Sequence, residues 1–247
     1  MQFIPYIVIS LLAIVFGQAV AHVNKKIPPL VSEEIKYNEF FKSLRNDFKV
    51  DVKYTLIFLI IFNLLIYFVG NNITTYLYTL IIFSLAMVFS VDYRFELIPD
   101  ECHYIILFAG VINFFLNLSL WWDHLLGAII GGAIFWGLGG LALIIFKKDG
   151  MGFGDVKLMA ALGFMFGIKD ILVISLVSFF IGAIIGGLLL ILRKKEATSY
   201  IPFGPFIVAA TIILMFIGPD YIIEMYLSLC GFLSIKMTDL IYYISNR

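Results

Sequence analysis

Long runs of apolar residues recur along almost the whole chain, and they leave few folds open. A transmembrane helix needs roughly 17–25 predominantly apolar residues. We therefore predict an all-α polytopic membrane protein with about eight transmembrane helices. The predicted spans are approximately 2–22, 54–70, 73–91, 102–119, 124–146, 156–168, 171–192 and 202–218. A ninth candidate, 221–235, contains Glu224 and can instead lie on the membrane surface.

The composition agrees with this class of protein. Hydrophobic residues make up 62% of the chain and charged residues 14%, whereas soluble domains are about 45–50% apolar and 25% charged. The net charge is zero, so we expect no nucleic-acid partner. The two cysteines, Cys102 and Cys230, form no CxxC pair, which excludes a four-cysteine zinc site. We predict one membrane-embedded domain over residues 1–247, in contact with membrane lipid and without a metal.

The lysines and arginines indicate how the chain is oriented. Most of them follow the first, third, fifth and seventh spans, whereas the loops between spans on the opposite side contain only Lys169. Because positively charged loops face the cytoplasm, we predict an outside N-terminus and a short cytoplasmic loop at 23–53. Residues 19–21, Ala-Val-Ala, resemble a signal-peptidase site, but the charges follow the apolar run instead of preceding it. The first span is therefore predicted to be retained, in a multi-pass protein of the plasma (inner) membrane.

One aspartate opens an apolar segment at the predicted cytoplasmic face. Asp155 precedes VKLMAALGFMFG and follows three alternating glycines, Gly150, Gly152 and Gly154. Carboxylates in a bilayer are costly, and those that occur usually face a wet or protein-lined interior and have a function. Capping of a helix N-terminus accounts for Asp155 but leaves the glycines unexplained. Glycines there allow unusual backbone angles or the close approach of another chain, such as a substrate strand.

A second aspartate ends the third span at the same face. It is Asp92, in the stretch VDYRFELIPDE. Pro99 interrupts any helix, so residues 93–100 are predicted to turn into the next span. Asp100 and Glu101 are interpreted as capping residues of that span.

Two carboxylates brought close together suit one kind of hydrolysis. Both cannot ionise easily, so such a pair shares a proton. One carboxylate then activates water as a base while the other donates a proton as an acid. Other protease chemistry is not indicated, because HExxH and GxSxG motifs are absent. The neighbours Cys102 and His103 would not face each other on a helix, and we interpret both as interface residues.

The hexapeptide GAIIGG occurs twice, at 127–132 and 182–187. Each copy contains two glycines four residues apart, a spacing that lets helix backbones approach closely in lipid. We predict that both copies serve helix packing.

Four motifs in order along residues 16–206 carry a resemblance to a known family. GFGD resembles the GxGD signature of intramembrane aspartic proteases, and the longer GMGFGDVKL resembles the G-x-G-x-G-D-x-K-L run of type IV prepilin peptidases. VDYRFELIPD is similar to that family's I-D-x6-P-D pattern, with Val91 in place of isoleucine. IPFGPF at 201–206 resembles its P-F-G-P-F motif, and FGQAVAHVNKKIP at 16–28 resembles a segment near its N-terminus.

The resemblance implies a membrane-embedded aspartic endopeptidase. Such an enzyme removes the short basic leader of type IV prepilins or pseudopilins at the cytoplasmic membrane face, without a metal or cofactor. Asp92 and Asp155 would be the catalytic pair, and Gly152 and Gly154 would shape the backbone beside Asp155. Possible supporting residues, by the same resemblance, are Pro99, Lys157, Pro202, Gly204 and Pro205.

The chain departs from the family pattern in its first loop. Many bacterial members carry two CxxC pairs there and also N-methylate the pilin with S-adenosylmethionine. Loop 23–53 has no cysteine, so the zinc subdomain is missing and a bifunctional peptidase and methyltransferase is kept as the alternative. Lys157 is expected to point away from Asp155 and to reach the interface.

Two alternatives come from other classes of protein. A proton-coupled transporter predicts acids nearer mid-bilayer, whereas Asp92 and Asp155 both lie at the ends of spans. A silent assembly factor does not account for the retention of both aspartates.

Overall fold

The computed structural model describes residues 4–26, 51–147, 151–192, 202–228 and 230–231. This part of the chain is helical and contains no strand, which confirms the all-α prediction. A short 3-10 turn, Leu118–Leu120, precedes the fifth helix. The helices are α1 (Ile4–Lys26), α2 (Val52–Val69), α3 (Ile73–Phe95), α4 (Asp100–Leu116), α5 (Trp121–Phe146), α6 (Phe153–Phe166), α7 (Ile168–Ile191), α8 (Gly204–Ile217) and α9 (Pro219–Ser228).

Five helical segments among the described residues are long and apolar enough to cross a membrane. A bent pair, α8 and α9, meets at 101° and would raise the number to six if it forms one span. The predicted count of eight is not confirmed, because α4 and α6 have only 17 and 14 residues. Most of the predicted loop 23–53 lies outside the described residues. The five segments are Ile4–Val23, Val52–Val69, Ile73–Phe95, Leu118–Ile145 and Ile168–Leu189.

The third helix is longer than predicted, and the turn after it is shorter. Its N-terminus is capped by Asn72, whose side chain accepts a hydrogen bond from the Thr75 backbone N–H at 3.0 Å. The helix continues to Phe95 and ends at Glu96, which adopts the left-handed conformation with φ 56°. Pro99 then starts α4 as its N-cap. The turn therefore covers about four residues, and Asp92 lies in the last turn of α3.

Helices α5 and α6 are in backbone contact, as the first GAIIGG copy predicts. A Cβ added at Gly163 would overlap the carbonyl of Gly127, lying 2.5 Å from its carbon. A Cβ at Gly131 would lie 2.5 Å from the Met159 carbonyl oxygen. The second copy works differently, because a Cβ at Gly182 would meet the rings of Phe203 and Phe206, each at 3.1 Å. The first copy therefore brings two helix backbones together, whereas Gly182 of the second copy makes room for aromatic rings.

An aromatic cluster fixes the start of α8 against α5 and α7. Phe203, the N-cap of α8, lies with its ring centroid 5.7 Å from Phe135, 5.5 Å from Phe179 and 5.5 Å from Phe206. Pro205 occupies the first turn of α8, where its missing N–H costs no helical hydrogen bond. This packing directs the N-terminus of α8 toward the end of α3.

Candidate active site

Asp92 is buried where the last turn of α3 meets the first residue of α8. Its exposed fraction is 3%. A Cβ on Gly204 would lie 2.5 Å from the Asp92 Oδ2 atom, so only glycine allows α8 to approach this closely. The Gly204 backbone N–H faces the carboxylate as a hydrogen-bond donor. The positive end of the helix dipole also favours negative charge at this point.

Asp155 is the third residue of α6 and is equally buried, at 3% exposure. The backbone N–H of Gly152, the N-cap of α6, faces its carboxylate, which are the relative positions of the two groups in a capping box. Capping thus explains part of its placement. Gly152 has φ −68° and ψ 140°, angles open to any residue, so the expected unusual backbone is not found there. Gly150 lies outside the described residues.

The structure brings the two aspartates together. Their side chains interact electrostatically. Among the described residues, the Asp92 Oδ2 and Asp155 Oδ1 atoms are buried and have no hydrogen-bond partner. Buried polar atoms are nearly always paired, so an unpaired oxygen on each neighbouring carboxylate marks a place for a proton, a water molecule or a substrate group. One shared proton would leave an acid and a base side by side.

Gly154 contacts the chain's own turn between α3 and α4. A Cβ on Gly154 would lie 3.1 Å from the Ile98 Cβ, so the space that a side chain would need holds Ile98 and is not free for a substrate strand. The Gly154 carbonyl also accepts a hydrogen bond from His103 Nε2 at 3.1 Å. Pro99 lies beside this contact and sets the start of α4.

Lys157 forms a salt bridge that sequence reasoning missed. Its Nζ atom donates to Asp100 Oδ1 at 2.8 Å and lies 5.4 Å from the ring centroid of Phe153. The hydrogen bond from Lys157 lowers the pKa of Asp100 below its ordinary value. This salt bridge links α6 to the start of α4, and both of its side chains are exposed. Asp100 is not the N-cap of α4, because Pro99 occupies that position.

Cys102 and His103, interpreted from the sequence as interface residues, are packed against other parts of the protein, with 2% and 4% exposed. Cys102 belongs to the hydrophobic core, and its carbonyl accepts from the Ser84 hydroxyl at 2.8 Å. His103 reaches the backbone beside Asp155. No local sequence pattern signals that contact, since its partner lies 51 residues away.

The tail motif contributes one direct contact to the pair. Pro202 precedes the N-cap, Pro205 lies in the first turn of α8, and Gly204 touches Asp92. In the described part of the chain, no group of three or more His, Cys, Asp or Glu side chains could hold a metal ion.

Comparison with known proteins agrees with the motifs. Residues 78–187, which include both aspartates, match the type IV leader peptidase family, so the resemblance is confirmed for this part of the chain. Three similar proteins are each named prepilin leader peptidase/N-methyltransferase. The one from Xanthomonas campestris pv. campestris is 35% identical over 142 residues, 57% of this chain and 49% of the relative.

The other two relatives give the same picture. The Pseudomonas aeruginosa protein is 36% identical over 143 residues, 58% of this chain and 49% of the relative. The Stutzerimonas stutzeri protein is 33% identical over 149 residues, 60% of this chain and 51% of the relative. The chain thus spans about half the length of these relatives. No solved structure matches it.

Proposed function

From the family match over residues 78–187, we propose that this protein is a membrane-embedded aspartic endopeptidase. Its substrates are type IV prepilins or pseudopilins, from which it removes the short basic leader. The observation that carries the proposal is the pair of buried, interacting carboxylates, Asp92 and Asp155, each with an unpaired oxygen. The names of the relatives support the class of substrate.

The proposed chemistry needs one proton shared between the two carboxylates. The ionised carboxylate takes a proton from water, and the oxygen of that water attacks the scissile carbonyl carbon. The protonated carboxyl donates its proton to the carbonyl oxygen, and collapse of the tetrahedral intermediate delivers a proton to the leaving amine. The N–H groups of Gly152 and Gly204 face the two carboxylates and stabilise whichever of them is ionised.

The proposal includes a position in the membrane. The excess of lysine and arginine in alternate loops supports an outside N-terminus and a site at the cytoplasmic face of the plasma (inner) membrane. Eight spans are reached if α4, α6 and the bent α8–α9 pair each count as one span beside the five longer segments. The substrate's leader would then approach the aspartate pair from the water, while the apolar pilin helix that follows the leader would remain in the lipid.

The test is cleavage of a purified prepilin by the reconstituted protein. Asp92→Asn and Asp155→Asn keep the side-chain shape but remove the shared proton, so we expect each to lower the rate by about 100- to 10,000-fold. Asp220→Asn is the matched control, because Asp220 is an exposed acid whose described partner is Lys169. It is expected to cut at the wild-type rate.

Folding of each variant is checked by its thermal unfolding transition in detergent. A folded Asp92→Asn or Asp155→Asn variant that cuts normally would show that the pair is not catalytic. If the folded wild type cuts no pilin-like substrate, the peptidase proposal is wrong, and the result favours the alternative of a proton-coupled transporter.

The second activity in the relatives' names, N-methyltransferase, is the alternative function. It would require S-adenosylmethionine as a co-substrate. We propose a peptidase without this activity, because the loop 23–53 contains no cysteine. Transfer of a labelled methyl group from S-adenosylmethionine to the new pilin N-terminus would contradict this, and cleavage without labelling is expected.

A further inference from the structure

His103 connects the start of α4 to the first turn of α6. Its side chain is buried, and its Nε2 atom lies 3.1 Å from the carbonyl oxygen of Gly154. A carbonyl can only accept, so Nε2 carries the hydrogen and donates it. The accepting residue directly precedes Asp155. The hydrogen bond therefore acts on the turn that holds this carboxylate.

Two other contacts from the same region reach the same face of α6. The Lys157 Nζ atom donates to Asp100, and Asp100 Oδ1 lies 3.5 Å from His103 Nδ1. Gly154 and Lys157 are three residues apart, so they share one face of the helix. Ile98 packs against the Gly154 Cα. The start of α4 thus contacts α6 at Gly154, just before Asp155, and at Lys157, just after it.

The first turn of α6 needs such support. Gly152 and Gly154 flank Phe153 there, and glycine gives the backbone more conformational freedom than any other residue. A donor fixed in the core, such as His103, restrains the Gly154 peptide group and with it the direction of the Asp155 side chain.

We propose that His103 is a positioning residue for Asp155, acting through the Gly154 carbonyl. The inference rests on the proposed role of the Asp92–Asp155 pair. His103 does not touch either carboxylate in its described hydrogen bonds. It sets the orientation of Asp155 toward Asp92 and leaves the chemistry to the pair.

The chain offers a matched control on the same helix. His124 is equally buried at 4% exposure, and its Nδ1 atom donates to the Phe164 carbonyl oxygen at 2.9 Å. Phe164 lies nine residues beyond Asp155, about 13.5 Å along the helix axis. The two histidines therefore make the same kind of hydrogen bond to α6, one beside the pair and one far from it.

The experiment compares His103→Leu, His103→Gln and His124→Leu in prepilin cleavage. We expect His103→Leu to lower kcat by about 10- to 100-fold with KM unchanged, because a small displacement of a catalytic group has effects of this size. His103→Gln carries an amide N–H near the position of Nε2 and should recover most of the rate. His124→Leu should keep kcat within about twofold of the wild type.

Hydrogen–deuterium exchange gives a readout that does not depend on activity. Exchange reports local opening of backbone hydrogen bonds. Peptides covering 153–158 should exchange faster in His103→Leu, and should return to the wild-type rate in His103→Gln. If His103→Leu does not fold, His103→Asn replaces it, since its shorter amide cannot reach Gly154.

The outcomes separate this inference from the proposed function. Equal losses of kcat in the two leucine variants, or unchanged exchange at 153–158 in His103→Leu, would overturn the positioning role. Failure of the glutamine variant to recover would do the same. A wild type that does not cut prepilin would overturn the proposed function, and the exchange data would still decide whether His103 holds the turn.

Discussion

Replacing Gly204 by alanine should move the Asp92 carboxylate by about one ångström. The added Cβ would lie 2.5 Å from Asp92 Oδ2, 3.1 Å from Cγ and 3.4 Å from Cβ. Non-bonded atoms prefer separations of about 3.5–4.0 Å. The start of α8 and the Asp92 side chain must therefore separate by about 1 Å to accept the methyl group.

The carboxylate is the part that moves. The start of α8 is held from behind by Phe203, whose ring packs against Phe135 and Phe179. Asp92 has a short side chain that can turn about χ1, and turning takes it away from the Gly204 N–H and changes its position relative to Asp155. A misplacement of 1 Å can lower the rate on the order of 100-fold, equivalent to about 2.7 kcal/mol.

The assay is single-turnover cleavage of a prepilin in liposomes, with thermal unfolding as the check of folding. Gly137→Ala is the matched control, because the Cβ that it would add to α5 points into open space. We expect normal cleavage by Gly137→Ala and a loss on the order of 100-fold by Gly204→Ala. A folded Gly204→Ala variant that cuts at the wild-type rate would refute the argument that α8 positions Asp92.

Two further predictions concern stability. Gly163→Ala should lower the free energy of unfolding by about 3 kcal/mol, since its Cβ would overlap the backbone of Gly127. Thermal unfolding beside Gly140→Ala, which has open space, checks this, and equal stability of the two would contradict the close contact of α5 and α6. Asp100→Asn should be less stable than the wild type at neutral pH, because Lys157 lowers the pKa of Asp100 in the folded protein. The difference is present above the ordinary carboxyl pKa of about 4 and should disappear as the pH falls through the lowered value. A difference that stays constant over this pH range would count against the salt bridge.

The helices were predictable because an apolar segment of this length in lipid can satisfy its backbone hydrogen bonds best as a helix. The residues at which the helices begin and end were less predictable. The third span was predicted to end at 91, yet α3 continues to Phe95, because Asp92 packs against α8 and does not need to face water. The prediction of eight spans was based on apolar stretches of sequence. Two of the corresponding helices, α4 and α6, have fewer than 18 residues. Hydropathy indicates whether a segment can lie in lipid, but it does not indicate at which residues the helix begins and ends.

The sequence motifs predict the two acids of the candidate site, but they do not predict most of the contacts around those acids. The motifs identify Asp92 and Asp155 as a pair, because the resemblance relates residues far apart in the chain. The partners of Lys157 and His103 could not be predicted, since they lie 57 and 51 residues away and helical periodicity does not say which residues a helix face contacts. Gly204 was flagged by its motif, but the reason, its approach to Asp92, is visible only in three dimensions.

Because α6 and α8 are short, the activity of the proposed enzyme should depend on the thickness of the lipid bilayer. Each has 14 residues and covers about 21 Å, whereas the hydrocarbon core of a bilayer is about 30 Å thick. Asp155 lies in the first turn of α6, and Gly204, the first residue of α8, touches Asp92. A bilayer adapts to short segments by thinning locally, which brings water closer to those turns. For the proposed peptidase, we therefore expect the rate of prepilin cleavage to fall as the acyl chains lengthen, because a thicker bilayer resists thinning and withholds water from the pair without any change in the protein.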